Sequence, residues 1–302
     1  MIADVLFAIL RGFLSLLSRL PLGVLYLLSD CVFVLIFYVV RYRRKVVRDN
    51  LSKCFPDFSP GELRRTERQF YRNFADYIFE TVKLLHISDA EIERRMTFEN
   101  VALMQKYIDE GRSIVVYFSH CGNWEWAPSV TLHTERPDAV YGQVYRPLKD
   151  KHFDALMLKV RSRFGSLNYP KSQVLRDLIL ARRQGKVTVT GFMSDQKPSH
   201  GDPTYVTLFL NRPTAFISGT ETLARKLGMA AIYWDISKTG RGCYRISCRD
   251  LAANVADTEP GEVTGKYASM LEQTIRRNPS VWLWTHKKWK NPVTLPENYG
   301  KN

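Results

Sequence analysis

One short segment of the chain carries the residue types that general base catalysis needs. His120 and Glu125 lie in SHCGNWE, residues 119–125, which is an H-x4-E pattern. A carboxylate that holds one imidazole nitrogen fixes the tautomer of the ring and stabilises the imidazolium, while the other nitrogen accepts a proton. This is the base and orienting residue of a triad without its nucleophile. We predict that His120 is the base, that Glu125 orients it, and that the substrate brings the reacting hydroxyl.

The elements around this segment favour a catalytic role over a structural one. Residues 113–118 (SIVVYF) indicate a short buried strand, and a helix is predicted from Trp124. Residues five apart do not share one face of a helix, but a bend from strand to helix can bring His120 and Glu125 together. Active sites of α/β sheets gather at the carboxyl ends of strands, which is where this turn lies.

The rest of the body alternates between helical and strand-like patterns. A capping box at Ser59 opens a long helix, and shorter helices begin at Ser88 and Asn100. The other predicted helices cover 149–164, 172–184, 219–227 and 263–277, and the predicted strands cover 113–118, 139–145, 186–193, 205–210, 229–236 and 243–248. This alternation predicts an α/β fold with a mixed, largely parallel sheet flanked by helices.

The N-terminal 45 residues differ from the body. Residues 20–40 are apolar apart from Ser29 and Asp30, and a basic cluster follows at 41–45. About 20 apolar residues cross a bilayer, although an aspartate near the middle costs roughly 3 kcal/mol. Residues 5–17 form a second apolar stretch. We predict a transmembrane or interfacial helical anchor over 1–45 and a catalytic domain over 46–302 on the cytoplasmic side, where basic clusters stay; the alternative is a buried pair of core helices.

Charge and cysteine usage exclude several classes of protein. The net charge is +14, and residues 1–40 are neutral, so all of the charge belongs to residues 41–302. Such a body suits an anionic partner: a membrane leaflet, a lipid phosphate or an acidic protein. No nucleic-acid, Walker or G-x-G-x-x-G motif is present. Five scattered cysteines without C-x-x-C indicate reduced thiols. We predict no metal, no nucleic acid and no nucleotide cofactor.

Segments downstream of the histidine complete a wider pattern. They are YRPLK at 145–149, RSRFG at 161–165, Asp195-Gln196, TLFLNRP at 207–213, Gly219 and WTHKKWK at 284–290. With SHCGNWE they resemble the H-x4-D/E acyltransferases, and among these the lipid A late acyltransferases that add lauroyl or myristoyl chains. The order and spacing of the segments match over most of the chain, including the N-terminal anchor.

The resemblance implies acyl transfer at the cell inner membrane. The donor would be an acyl carrier protein thioester, the acceptor a hydroxyl of a lipid A precursor, and no cofactor would be needed beyond the thioester. His120 would deprotonate that hydroxyl and Glu125 would orient His120. A positioned base of this kind contributes about 10²–10⁴-fold to a rate.

Four further residues are expected to bind substrate. Arg146 and Arg163 suit phosphate or carboxylate groups because guanidinium binds them bidentately, and Arg146 could also stabilise the tetrahedral oxyanion. Asp195 could support the arginines, support His120 or cap a turn. Gln196 belongs to the same segment of the resemblance.

Other interpretations stay open. The same chemistry could act on a lysophospholipid, a glycolipid or an aminolipid, although the chain lacks the Phe-Pro-Glu-Gly-type segment of glycerolipid enzymes. A basic, non-catalytic membrane-binding protein is a remote alternative. Cys121 is a poor candidate nucleophile, because side chains adjacent to a base usually point away from it. Trp282, Trp284 and Trp289 with nearby lysines could form an interfacial belt or part of the core.

Overall fold

The N-terminal part of the protein is helical. The computed structural model describes residues 2–136, 138–297 and 299. Its first elements are α1 (Ile2–Leu17), α2 (Leu22–Val34) with a π-helical continuation (Leu35–Val39), α3 (Arg44–Cys54), α4 (Pro60–Lys83) and α5 (Asp89–Arg95). Ser59 caps α4 as predicted: its hydroxyl accepts from Glu62 N, and the Glu62 carboxylate accepts from Ser59 N at 2.7 Å.

The rest of the chain builds an α/β body. Its elements are β1 (Met96–Glu99), α6 (Val101–Asp109), β2 (Ile114–Phe118), β3 (Val140–Tyr145), α7 (Lys151–Arg161), β4 (Leu167–Pro170), α8 (Val174–Arg183), β5 (Thr188–Met193), β6 (Thr204–Phe209), β7 (Arg212–Ile217), α9 (Gly219–Leu227), β8 (Ala230–Gly240), β9 (Cys243–Ala252) and α10 (Glu262–Arg277). Short 3₁₀ segments lie at Trp124–Leu132, Val255–Asp257 and Pro279–Val281.

The described strands form a seven-stranded sheet in the order β1-β9-β8-β2-β5-β3-β4. Strands β8 and β9 are antiparallel, and every other neighbouring pair is parallel. Strands β6 and β7 form a separate antiparallel ribbon. All five residues of β2 are buried, because the strand lies inside the sheet with helices on both sides. The predicted fold class is confirmed.

Sequence patterns missed β1, β4 and β7. The first two have only four residues each and lie at the edges of the sheet, too short to show a clear period. The helix predicted from Trp124 is a 3₁₀ segment that contains Pro128. Proline has no N–H to donate, so a regular α-helix is disfavoured there.

The apolar N-terminal helix α2 packs antiparallel along α4. Near one end Lys83 Nζ donates to Leu20 O at 2.9 Å, and in the middle Ser29 Oγ donates to Asp76 at 2.7 Å. Leu22–Val39 is long and apolar enough to cross a membrane, and 28% of it is buried. A core helix would be mostly buried, so this helix exposes an apolar face that the body does not cover.

The basic cluster after α2 is partly internal. Arg44 and Arg48 both pair with the buried carboxylate of Glu67, at 2.9 and 3.0 Å, and Arg43 donates to Thr285 O at 3.1 Å. The sequence suggested that Arg44 attracts lipid headgroups, but its charge is already paired with a carboxylate inside the protein. Helix α3 begins at Arg44, so the division into domains at residue 45 falls within a helix and stays a prediction.

Candidate active site

Polar residues follow three neighbouring strands at one edge of the sheet. Strand β2 pairs in parallel with β5, and β5 with β3. His120 follows β2, Asp195 and Gln196 follow β5, and Arg146 follows β3. Since parallel strands end at the same edge, residues far apart in sequence meet there.

The turn that carries His120 is fixed by two other parts of the chain. His120 O accepts from Leu283 N at 3.1 Å, and Gly122 N donates to Val281 O at 3.0 Å. Gly122 has a φ of +59°, and a Cβ there would lie 2.9 Å from the Tyr244 ring, so glycine is required. These contacts fix the backbone of the turn from which the imidazole projects.

Asp195 is the residue that holds the imidazole. Its Oδ1 lies 2.7 Å from His120 Nδ1, and its Oδ2 accepts from His120 N at 3.0 Å and from Trp282 Nε1 at 2.9 Å. Burial by itself would raise the pKa of Asp195, but its interaction with the His120 ring and these hydrogen bonds hold it well below its ordinary value. An ionised carboxylate only accepts, so Nδ1 carries the proton. Nε2 is left as an acceptor, and Gln196 Nε2 donates to it at 3.0 Å.

Glu125 does not hold the His120 ring, which corrects the geometry expected from the sequence. Its two carboxylate oxygens accept from Arg161 Nε at 2.8 Å and Arg161 Nη2 at 2.6 Å. The pair is largely buried, and although burial lowers the pKa of Arg161, Glu125 raises it above its ordinary value. The 3₁₀ turn with Pro128 turns Glu125 toward α7, where Arg161 is the last residue. Sequence reasoning missed Arg161 although it opens the RSRFG segment.

The two arginines expected to bind substrate have different surroundings. Arg146 is exposed and lines the cleft beside His120. Arg163 is not brought to the cleft: its guanidinium donates to Ile87 O and, at 3.3 Å, to Asp89 Oδ1. Arg163 lies beyond the end of α7, where the chain has turned toward α5. It therefore contacts the protein itself rather than a substrate in the cleft.

A cleft of about 1100 Å³ opens beside His120. This is at the upper end of ligand pockets. Phe118, Val189 and Phe192 contribute to an apolar wall, and the exposed side chains of Leu148 and Leu175 also line it. Among the described residues, no three His, Cys, Asp or Glu side chains come together as metal ligands do. The cleft can hold an apolar chain next to a base.

Helix α1 packs against the first turn of α7, the helix whose last residue, Arg161, lines the cleft. Its Phe7 ring stacks on His152 with centroids 4.8 Å apart and contacts Phe153 at 5.7 Å, both on α7. Large apolar residues of α1, including Val5, Ile9 and Phe13, are exposed and were not expected near the site. A lipid surface that covered α1 would therefore also lie near the start of α7.

Cys121 and the tryptophans after residue 280 are core residues. Cys121 is fully buried, and burial raises the pKa of its thiol well above the ordinary value, which makes it a poor nucleophile. Trp282 and Trp284 are buried, so they form no interfacial belt. Trp289 is half-buried and donates to Thr214 Oγ1 at 2.7 Å.

Comparison with known proteins gives one consistent result. The family described as bacterial lipid A biosynthesis acyltransferase matches residues 3–291. The chain is 23% identical over 284 residues to the lipid A biosynthesis palmitoleoyltransferase of Escherichia coli K12, covering 92% of this chain and 89% of that enzyme. It is 24% identical over 296 residues to the lipid A biosynthesis lauroyltransferase of the same strain, covering 95% and 92%. The resemblance seen in the sequence is confirmed, and the chain is an acyltransferase that belongs to the bacterial lipid A biosynthesis acyltransferase family.

Proposed function

We propose that this protein transfers a fatty acyl chain from an acyl carrier protein thioester to a hydroxyl of a lipid A precursor. The observation that carries the proposal is the His120–Asp195 pair beside an apolar cleft, with Nε2 next to an amide rather than a hydroxyl or thiol. A base without a neighbouring nucleophile suits direct attack by a substrate hydroxyl. Two relatives named for lipid A acylation support the acceptor class.

His120 acts as the general base in this proposal. Nε2 takes the proton of the acceptor hydroxyl as its oxygen bonds to the thioester carbonyl carbon. The tetrahedral intermediate then collapses, the C–S bond breaks, and the thiolate takes the proton from His120. Asp195 keeps Nδ1 protonated and stabilises the imidazolium. The acceptor displaces the Gln196 amide from Nε2, and that amide can then donate to a reacting oxygen.

Glu125 acts through Arg161 rather than through His120. Two short hydrogen bonds fix the guanidinium in the cleft wall, so Glu125 is a positioning residue. We assign Arg161 to the developing oxyanion, because a largely buried cation that is already held in place stabilises such a charge. The exposed Arg146 then binds a phosphate or carboxylate of a substrate. Arg163 has no part in the reaction.

The protein works at the inner membrane, with its body on the cytoplasmic side. The exposed apolar residues of α1 and α2 support attachment to lipid, and the +14 charge supports contact with anionic lipids and an acidic carrier protein. Since α1 contacts α7, whose last residue lines the cleft, the acceptor can enter from the membrane surface with its acyl chains against the apolar wall. No cofactor is required beyond the thioester.

The test is acyl transfer by the purified full chain in detergent. The wild-type protein should add the mass of one acyl chain to a lipid A precursor when given acyl carrier protein thioester. His120→Ala should abolish transfer, whereas His200→Ala, at an exposed position that does not line the cleft, should leave it intact. Near-normal turnover by folded His120→Ala protein would refute the mechanism. Faster acylation of a lysophospholipid would refute the acceptor, and equal use of a coenzyme A thioester would refute the donor.

A further inference from the structure

A second cavity, which His120 does not line, lies between α2, α4 and the β8–β9 hairpin. It measures about 740 Å³. One wall is apolar and comes from α2 and its π-helical continuation, with Val34 and Tyr38. The facing wall is cationic, with Arg68 and Arg72 on α4. The acyl transfer mechanism uses none of these residues.

The cations of the hairpin are already paired inside the protein. Arg241 bonds to Asp30 and Asp76, each at 2.8 Å, and Lys238 lies 3.7 Å from Asp76 and donates to Asn73 at 2.9 Å. The aspartate that interrupts the apolar stretch of α2 is therefore neutralised by the body. These pairs form the floor of the cavity and add little net charge to it.

Arg68 and Arg72 lack such partners. Within the part of the chain that the structure describes, neither has an ion pair with a carboxylate, and both are exposed. Arg72 lies over the Phe33 ring of α2, with its guanidinium carbon 5.2 Å from the centroid. Arg64 continues the row one turn earlier, and like charges at i,i+4 repel one another on a helix. A row of repelling guanidiniums is compensated when an anion binds between them.

The apolar wall indicates what kind of anion this is. About half or more of the surface is exposed at Val34, Tyr38 and Val39. These residues belong to Leu22–Val39, which is apolar enough to enter a membrane. A soluble anion would leave that wall in water, and an acidic protein surface would gain nothing from it. An amphiphile satisfies both walls at once, because its charged group pairs with arginine while its chains cover the apolar residues.

We propose that this cavity binds the phosphate headgroup of an anionic membrane phospholipid, held by Arg68 and Arg72, with the acyl chains along the exposed face of α2. The bound lipid fixes α2 at the level of the headgroups and keeps the body close to the membrane. This is a lipid site separate from the catalytic cleft, and its binding is measured without either acyl substrate. Its failure is therefore distinguishable from failure of the proposed reaction.

The experiment compares vesicle binding by the full chain and by two double variants. The vesicles are phosphatidylcholine alone, or phosphatidylcholine with a third phosphatidylglycerol. Arg68→Gln/Arg72→Gln removes the proposed contacts, and Arg176→Gln/Arg183→Gln removes the same charge from exposed positions on α8. The wild-type protein should prefer the anionic vesicles. The α4 variant should lose about 30-fold in affinity for them, as two arginines near a charged surface contribute.

The control variant should keep most of the preference, and all proteins should bind plain phosphatidylcholine equally through α1 and α2. An equal loss in both variants would overturn the proposal, because it would mean a diffuse attraction without a site. Unchanged vesicle binding by the α4 variant would also overturn it. If that variant instead showed only a raised KM for the carrier protein thioester, the surface would be a protein docking site.

Discussion

His120 is held by the carboxylate of Asp195, which lies 75 positions further along the chain. The histidine could be predicted from its type and its place after a buried strand. Its partner could not, because Asp195 reaches it only through the pairing of β2 with β5, which skips two intervening strands. Asp195 had three open roles in the sequence, and the geometry selects one. Glu125 is the nearer residue in sequence, yet it faces Arg161.

Substitutions of Asp195 and Glu125 should have different effects on the pH dependence of kcat. Asp195→Asn leaves a group that can donate to Nδ1 and so favours the wrong tautomer, which should lower kcat by about 10³–10⁴-fold and displace the pH dependence of kcat. Glu125→Gln should also lower the rate, but its pH profile should keep the wild-type midpoint, because it acts through Arg161. Rates across pH 5–9 check both. A shifted midpoint in Glu125→Gln alone would contradict this assignment.

The buried ammonium of Lys288 should lower the free energy of unfolding. Its Nζ has no hydrogen-bond partner among the described residues and lies 4.2 Å from the Phe216 ring centre. Burial lowers its pKa to about 7, against the attraction of Asp195. In the unfolded chain the lysine stays protonated up to about pH 10.4. The buried ammonium therefore lowers the free energy of unfolding by its full amount below pH 7, and by less as the pH rises toward 10. Lys288→Met should raise the free energy of unfolding by about 1–4 kcal/mol at pH 6–7.

Melting temperatures in detergent at pH 6, 8 and 10 check this expectation. The difference between Lys288→Met and the wild-type protein should shrink as pH rises. Lys290→Met, at an exposed position two residues away, should change little at any pH. Destabilisation by Lys288→Met that was equal at all three pH values would contradict the unfavourable burial of the ammonium.

At the scale of elements, the helix α2 could be predicted from the sequence, but its position in the fold could not. Composition alone predicts α2, but not that it lies along α4 with Lys83 at one end and Glu67 beyond the other. Those contacts are between residues far apart in sequence and depend on the whole helical layer. Likewise the strands inside the sheet, such as β2 and β5, were predicted, while the four-residue edge strands were not. Burial on both faces gives a strand a sequence signal that an exposed edge lacks.

The packing of α1 and α2 predicts that neither crosses the bilayer. Phe7 of α1 contacts Phe153 of the body, and Leu20, before α2, accepts from Lys83 of α4. The start of α1 and the connection between α1 and α2 therefore both contact the body, and we expect the apolar faces to enter only the near leaflet. A protease site fused before residue 1 should be cut in inverted membrane vesicles, which expose the cytoplasmic side, and protected in intact cells. Cleavage from the outer side alone would show that the segment spans the membrane.

At the scale of the whole molecule, the net charge and the exposed apolar surface belong to different parts of the chain. In the proposed arrangement, the neutral, apolar α1 and α2 attach the protein to the membrane, and the +14 of residues 41–302 acts at and above the headgroups. This division could be predicted from the sequence because it depends only on counting residues. The sequence could not predict that Arg44 and Arg241 form ion pairs with buried carboxylates. Nor could it predict that Arg68 and Arg72 form no such pairs among the described residues. Net charge sets the long-range field, and the structure determines where that field is strongest.

The long-range field predicts how salt affects the use of the donor. An acidic carrier protein approaches a basic body faster than diffusion alone allows, and salt screens this attraction over a Debye length of about 10 Å at 0.1 M. Raising the salt concentration from 0.05 to 0.5 M should therefore raise KM for the carrier protein thioester by about tenfold and leave kcat nearly unchanged. A pantetheine thioester with the same acyl chain lacks the acidic surface and is the control. If its KM rose as much, salt would be acting on the acceptor or the membrane, and the carrier protein would not be recognised through the charge of the body.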